Sequence, residues 1–334
     1  MKPRERVLKT LKHEPIDRVP LFEIWIEEEM AKELGEKDLP STYVNLGLDC
    51  IFIPYQNPPH SNAWRDGVDE WGRVWRRGIY VGGLVANEQD LKKFSPPLDY
   101  VDEFFDEDKI KEVKRTYPDH CLIFGSHVGP FTASYLSMGF ERFFISLLEI
   151  PSLVHRVLEK RTEWCLAIYR RAISLGIDVA VLGDDVAHKS GTMVSPEMWR
   201  TFGLPYHLLL LRELDFPFIW HSDGNIIPFL PMAVEAGFSG VHGLEPSAGI
   251  ELARVKKEYG KELVLVGNAD INPLFGSDPE RVRKEVVRCL RQGASAGGYM
   301  FSSCNSIFKG MNPFLIREMY RWARKQGKHK DKED

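Results

Sequence analysis

No apolar run in this 334-residue sequence is long enough to cross a bilayer. The most apolar stretches, residues 208–211 and 263–266, fall far short of the roughly 20 residues that a spanning helix needs. A membrane-spanning helical protein is therefore excluded. Cysteine is sparse: Cys50, Cys121, Cys165, Cys289 and Cys304 make an odd five, with no CxxC pair. That excludes a disulfide scaffold and predicts a reduced, cytoplasmic protein. Basic residues are not in surplus. Lys and Arg number 44 against 48 Asp and Glu, a formal charge of −4, and no basic stripe is interleaved with aromatics. Nucleic acid is thus not an expected partner. HExxH is missing too. The first residues lead into a charged amphipathic segment and not an apolar signal core. No repeat, low-complexity tract or linker breaks the chain.

What remains is an ordinary globular composition, 43% hydrophobic and 28% charged, with strand-like runs alternating with helix-like ones. Eight short apolar runs read as strands: 19–24, 50–55, 121–126, 179–183, 217–220, 240–243, 263–267 and 299–303. Each is bounded by Gly, Pro, Asp or Asn, as a doubly buried parallel strand should be. Residues 151–175 carry apolar side chains at helical spacing, Ser195 and Asp278 precede prolines as helix N-caps, and Gly260 follows a helix end. Eight strand–helix units in about 300 residues predict an α/β fold, a (β/α)8 TIM barrel. It is expected to be one domain over 1–325 with a charged tail at 326–334. Residues 56–100, with Trp64, Trp71 and Trp75, read as an insertion after strand two, with a hairpin around 71–81. Residues 130–150 read as one or two short helices.

A barrel of this type builds its site at the C-terminal ends of its strands. Those ends here carry Glu23; Tyr55; His127; Asp184 and Asp185; His221, Asp223 and Asn225; His242 and Glu245; Asn268 and Asp270; and Cys304 and Asn305. Strand ends meet water and are polar in any case. A convergence of His, Cys and several carboxylates is harder to read that way, because burial there favours groups that are paired or bind something. His221-x-Asp223 together with Cys304 offers imidazole, carboxylate and thiolate donors of the kind zinc takes. A lone His beside a lone Cys is more often structural than metal-binding. The adjacent Asp184 and Asp185 point in different directions, so one is expected to be functional and the other to cap a helix or pair with a cation. Asp184, Asp185 and Glu245 are the candidate catalytic groups. Glu23, Tyr55, His127, Asn268 and Asn305 are the candidate substrate contacts, and His221, Asp223 and Cys304 the candidate metal ligands.

The same motifs carry a family resemblance. Arg4-Glu-Arg-Val-Leu, His13-Glu-Pro-Ile-Asp-Arg-Val-Pro, Gly183-Asp-Asp-Val-Ala, Ser195-Pro-Glu-Met-Trp, His221-Ser-Asp-Gly-Asn, Val266-Gly-Asn-Ala-Asp and Gly297-Gly-Tyr-Met-Phe-Ser-Ser resemble the uroporphyrinogen decarboxylase-like superfamily, in order, from about residue 3 to 325. The resemblance implies the barrel fold. True uroporphyrinogen decarboxylases carry an Arg-Gln-Ala-Gly-Arg-Tyr segment for substrate carboxylates. Here the corresponding stretch is Phe22-Glu-Ile-Trp-Ile-Glu-Glu-Glu, which would repel a polycarboxylate. The other branch is similar to zinc methyltransferases that move a methyl group between a corrinoid protein and a thiol or methoxylated substrate. In the thiol-methylating members His-x-Cys after strand five and a Cys at strand eight hold the metal. His221 and Cys304 stand at those places, with Asp223 where the first Cys would be, and Glu245 or Asp184 as additional candidate ligands. The resemblance implies zinc as cofactor and cobalamin carried by a separate corrinoid protein. A homodimer is a further candidate assembly. A metal-independent decarboxylase, with Asp184 or Asp185 holding substrate N–H groups, and a non-catalytic scaffold are the competing readings.

Overall fold

The computed structural model describes residues 1–54, 66–95, 98–126 and 129–328. The expected contacts Tyr55 and His127, and also Trp64, lie outside the described residues. Seven parallel strands follow one another in chain order through one curled sheet. They are β1 (Cys50–Pro54), β2 (Cys121–Ser126), β3 (Val179–Gly183), β4 (Phe218–Ser222), β5 (Gly240–Gly243), β6 (Val264–Ala269) and β7 (Tyr299–Ser303). The chain crosses back between them through helices, as parallel pairing requires. Every residue of β3, β5, β6 and β7 is buried, which is why these strands read as apolar runs without alternation.

The expected first strand, 19–24, does not form a regular strand. It makes an isolated bridge, Leu21 with Phe301, and Ile26 just beyond it makes another with Ile307. Phe22 N donates to Phe301 O at 2.9 Å, Phe301 N to Pro20 O at 2.9 Å, and Asp49 N to Leu21 O at 2.8 Å. This segment therefore bonds to β7 on one side and to the residue before β1 on the other. Two local features keep it irregular. Pro20 has no N–H to give, and Ile24 N donates to its neighbour Glu23 Oε1 at 3.1 Å instead of to a ladder. Below it, buried Asp49 accepts both Nη atoms of Arg18, each at 2.8 Å, and Leu21 N at 2.7 Å, with Arg6 as a further donor. A bidentate pair of this kind sets geometry as well as charge.

The hairpin expected around 71–81 is centred slightly later. Arg73–Arg76 pairs antiparallel with Ile79–Gly83, and Gly67–Val68 adds a third short strand. Trp71 precedes the hairpin and is buried, its ring edge-on to Trp164 at 4.9 Å and under the Arg161 guanidinium at 4.6 Å. The two short helices expected in 130–150 are Pro130–Met138 and Phe140–Glu149, and the long one is Pro151–Ser174. Ser195 and Asp278 cap as expected, accepting from Met198 N and Glu280 N. The last helix, Pro313–Gln326, runs one residue past the expected domain end, and Val19 N donates to Gly327 O at 2.9 Å. No helix among the described residues is long and apolar enough to cross a membrane.

Candidate functional site

Strand register brings the site together. Gly183 of β3 lies beside His221 of β4, and His221 beside His242 of β5. Paired residues in a parallel sheet point to the same face, so the two imidazoles meet. Their rings are 4.9 Å apart and their Nδ1 atoms 2.9 Å apart. His242 is fully buried, and its Nε2 lies 3.3 Å from Ser302 Oγ. Burial, reinforced by His221, holds its pKa well below the ordinary histidine value.

One step beyond the strand ends, ligand atoms of Asp185, His221 and Asp223 all lie within 4.8 Å of one another, the one such group of His, Cys and carboxylate side chains among the described residues. His221 Nε2 is 3.7 Å from Asp223 Oδ1. The backbone ties the two carboxylates: Asp223 N donates to Asp185 Oδ1 at 2.9 Å. Asn305 Nδ2 donates to Asp223 Oδ1 at 3.0 Å, and Asp185 N donates to Thr132 Oγ1 at 2.8 Å. Burial raises the pKa of Asp185, and Asp223 adds to the rise while His221 opposes it. Glu245 is raised as well, by burial first and then by Asp223, against hydrogen bonds from Asn305 and the Gly224 backbone. Three carboxyls facing one another favour retained protons or a bound cation.

The neighbouring aspartates point in different directions, as expected. Asp184 is buried and points away into the wall. Its carboxylate accepts Thr132 N at 2.7 Å and Phe131 N at 3.2 Å, and pairs with His207 Nε2 at 2.8 Å. It thus caps the helix Pro130–Met138, whose own N-cap residue, Gly129, has no side chain to do so. A Cβ on Gly129 would stand 2.5 Å from Asp184 Cγ, so only glycine admits this contact.

Other expected residues are more deeply placed. Glu23 is fully buried. It accepts from Tyr320 Oη, from Ser303 Oγ at 3.0 Å and from Ser303 N at 3.3 Å, and burial outweighs these bonds to push its pKa up to about 7. Asn268 is buried with φ at 117°, and its side-chain nitrogen donates to Leu244 O while Oδ1 has no partner among the described residues. Cys304 is buried, its thiol pushed up to about 12 chiefly by burial, and it is not part of the three-residue group. Asp185 stands in that group where Cys304 was expected. His242, Ser302 and Thr132 received no role from the sequence. His242 was legible at the end of strand six, but its pairing with His221 depends on register.

A parallel α/β sheet with acidic and imidazole groups gathered at its C-terminal rim defines an α/β enzyme architecture. Residues 76–326 match the family model described as Uroporphyrinogen decarboxylase (URO-D), and the chain belongs to that enzyme family. It is 25% identical over 96% of its length to 99% of a uroporphyrinogen decarboxylase of Xylella fastidiosa. It is also 21% identical, over 91% of its length and 93% of the relative, to the methylcobamide:CoM methyltransferase MtbA of Methanosarcina acetivorans. The fold is similar to that of a solved methyltransferase from Methanosarcina mazei, with a TM-score of 0.78, 20% identity and coverage of 97% and 99% of the two chains.

Proposed function

We propose that the protein is a methyltransferase moving a methyl group between a corrinoid protein and a thiol or methoxylated small molecule, with zinc activating the substrate. The observation that carries this reading is the Asp185–His221–Asp223 group. One imidazole nitrogen and two carboxylate oxygens are a donor set zinc accepts, and three protein donors leave a position open for substrate. A bound zinc supplies Lewis acidity, lowering the pKa of a coordinated thiol or polarising an ether oxygen. We infer further that residues 18–26 complete an eight-membered barrel in place of a regular first strand, and that the chain folds as one domain.

The chain's own residues prepare the donors. For His221 to present Nε2, its Nδ1 must carry the proton and donate to His242 Nδ1. His242 then donates from Nε2 toward Ser302 Oγ. A buried, neutral His242 suits that acceptor role, since an outer hydrogen-bond acceptor fixes the tautomer of a ligating imidazole. Asn305 orients Asp223, and Thr132 seats the backbone of Asp185. Burial and then Asp223 raise the pKa of Glu245, which favours its protonated form at the rim. Cys304 would have to lose its proton to join the donors, which its buried position disfavours. Asn268 Oδ1, buried and without a partner among the described residues, is the expected substrate contact that keeps an acceptor available there.

The raised carboxyls of Asp185 and Glu245 also suit the competing reading, a metal-independent decarboxylase whose carboxyls hold substrate N–H groups. Elemental analysis separates the two. About one zinc per chain is expected, lost in His221→Ala and Asp223→Ala with circular dichroism unchanged. Metal-free protein that transfers methyl groups at the wild-type rate overturns the assignment.

A further inference from the structure

The opposite ends of the strands carry a separate feature. Residues 260–261 precede β6 and residues 295–298 precede β7, so these loops lie at the far end of the sheet from His221 and Asp223. Between them opens a groove of about 760 Å³ lined in part by His13, Lys256, Lys257, Lys261 and Arg291, with no aspartate or glutamate among its lining residues.

Several arginines elsewhere on the surface are paired: Arg156 with Glu88, Arg170 with Glu213, Arg200 with Glu235 and Arg321 with Glu318. Lys257, Lys261 and Arg291 are exposed and make no ion pair or side-chain hydrogen bond among the described residues. Lys256 is held from behind, its ammonium donating to Gly297 O and Gly298 O. Burial lowers the pKa of Lys256. Burial and then Lys256 lower that of His13, against the opposing charge of Glu262. The groove already resists further positive charge.

Helix dipoles do not account for the excess. The helices Leu252–Tyr259 and Pro279–Gly293 both end here, and a helix C-terminus contributes about half a negative charge. Two such ends offset roughly one of the four cationic side chains. Even with the charge of Glu262 acting on His13, a chain of net charge −4 thus keeps a net positive concavity here. Its volume is within the range that encloses a small ligand. Arg supplies a fork matched to phosphate oxygens, and Lys supplies mobile point charges.

We propose that this groove binds a phosphorylated small molecule through its phosphate or diphosphate group, at a site separate from the strand-end rim. The probe is inorganic pyrophosphate, titrated calorimetrically into the full-length protein at low salt, with sodium chloride of matched ionic strength as control. Saturable binding is expected with a Kd below about 1 mM. It weakens at least about tenfold in the Lys261→Gln, Arg291→Gln double variant, whose unfolding midpoint stays at the wild-type value because both side chains are exposed and unpaired. Binding also persists in His221→Ala, which separates this groove from any metal at the rim. Heat indistinguishable from the salt control overturns the proposal. So does a double variant that binds pyrophosphate as the wild type does, or binding that disappears in His221→Ala.

Discussion

The adjacent aspartates offer the sharpest test, because their side chains diverge into opposite roles. Asp184→Ala removes the acceptor for Thr132 N and Phe131 N and strands the His207 imidazole in a buried wall. Loss of a helix cap costs about 1–2 kcal/mol, and a buried donor left unsatisfied adds about 1–3 kcal/mol. A total near 4 kcal/mol is expected. Unfolding entropy is about 2 cal/mol/K per residue, so for 334 residues this corresponds to a fall in Tm of about 6 °C. Asp185→Ala behaves differently. It loses one hydrogen bond from Asp223 N but also removes a carboxyl whose ionised form burial disfavours, so its stability should stay within about 1 kcal/mol of wild type. Metal content should respond in the opposite sense: retained per folded chain in Asp184→Ala, lost in Asp185→Ala. Scanning calorimetry and elemental analysis on both variants provide the readouts. An Asp184→Ala protein with unchanged Tm, or an Asp185→Ala protein that loses 4 kcal/mol while keeping its metal, would refute the division.

Three further outcomes follow from buried charges. Glu23 has a folded-state pKa of about 7 against an ordinary 4.5, so between these values the native carboxyl keeps a proton that the unfolded chain releases. Its contribution is full below about pH 4.5 and falls by about 3 kcal/mol as pH rises to 7. Urea midpoints at pH 5 and 7.5 should show this loss in the wild type and not in Glu23→Gln, and an equal slope in both proteins contradicts it. Asp49→Ala leaves buried Arg18 beside no counter-charge at the seam and Arg6 with Asp17 alone, and chemical denaturation should show a loss of about 3–5 kcal/mol. Arg161→Ala removes the donors to Phe94 O and Trp71 O and the cation over the Trp71 ring. It should cost about 3 kcal/mol and shift the tryptophan emission, and an unchanged spectrum counts against the contact.

The sheet was legible because its strands are buried on both faces. Runs such as 179–183 and 299–303 coincide with β3 and β7 to the residue, since nothing but an apolar, β-branched or aromatic segment tolerates that environment. Ends were read less well where the ladder continues into polar residues. The run ending at Trp220 extends through His221 and Ser222, because β5 offers partners to both. Segment 19–24 is the opposite case. It is apolar, but Pro20 and Glu23 divert its hydrogen bonds, and its partners Phe301 and Asp49 are distant in sequence.

The site shows the same division between what a rule about strand ends can reach and what needs coordinates. That rule gathers Asp185, His221, Asp223, Glu245 and Asn305 at one rim, and they do interact there. It does not say which of two consecutive aspartates faces the rim. That depends on the helix Pro130–Met138, whose Gly129 leaves an empty cap for Asp184 to fill from another strand. With Asp184 committed to the wall, Asp185 necessarily turns the other way, toward His221. Cys304 follows β7 directly, and its backbone N–H donates to Ala269 O at 2.8 Å. That bond continues the ladder by one residue and keeps the thiol in buried surroundings, where its proton is retained. The oxygen-rich character of the candidate donor set thus traces to a helix cap and one extra ladder bond, two contacts that no spacing between the residues themselves encodes.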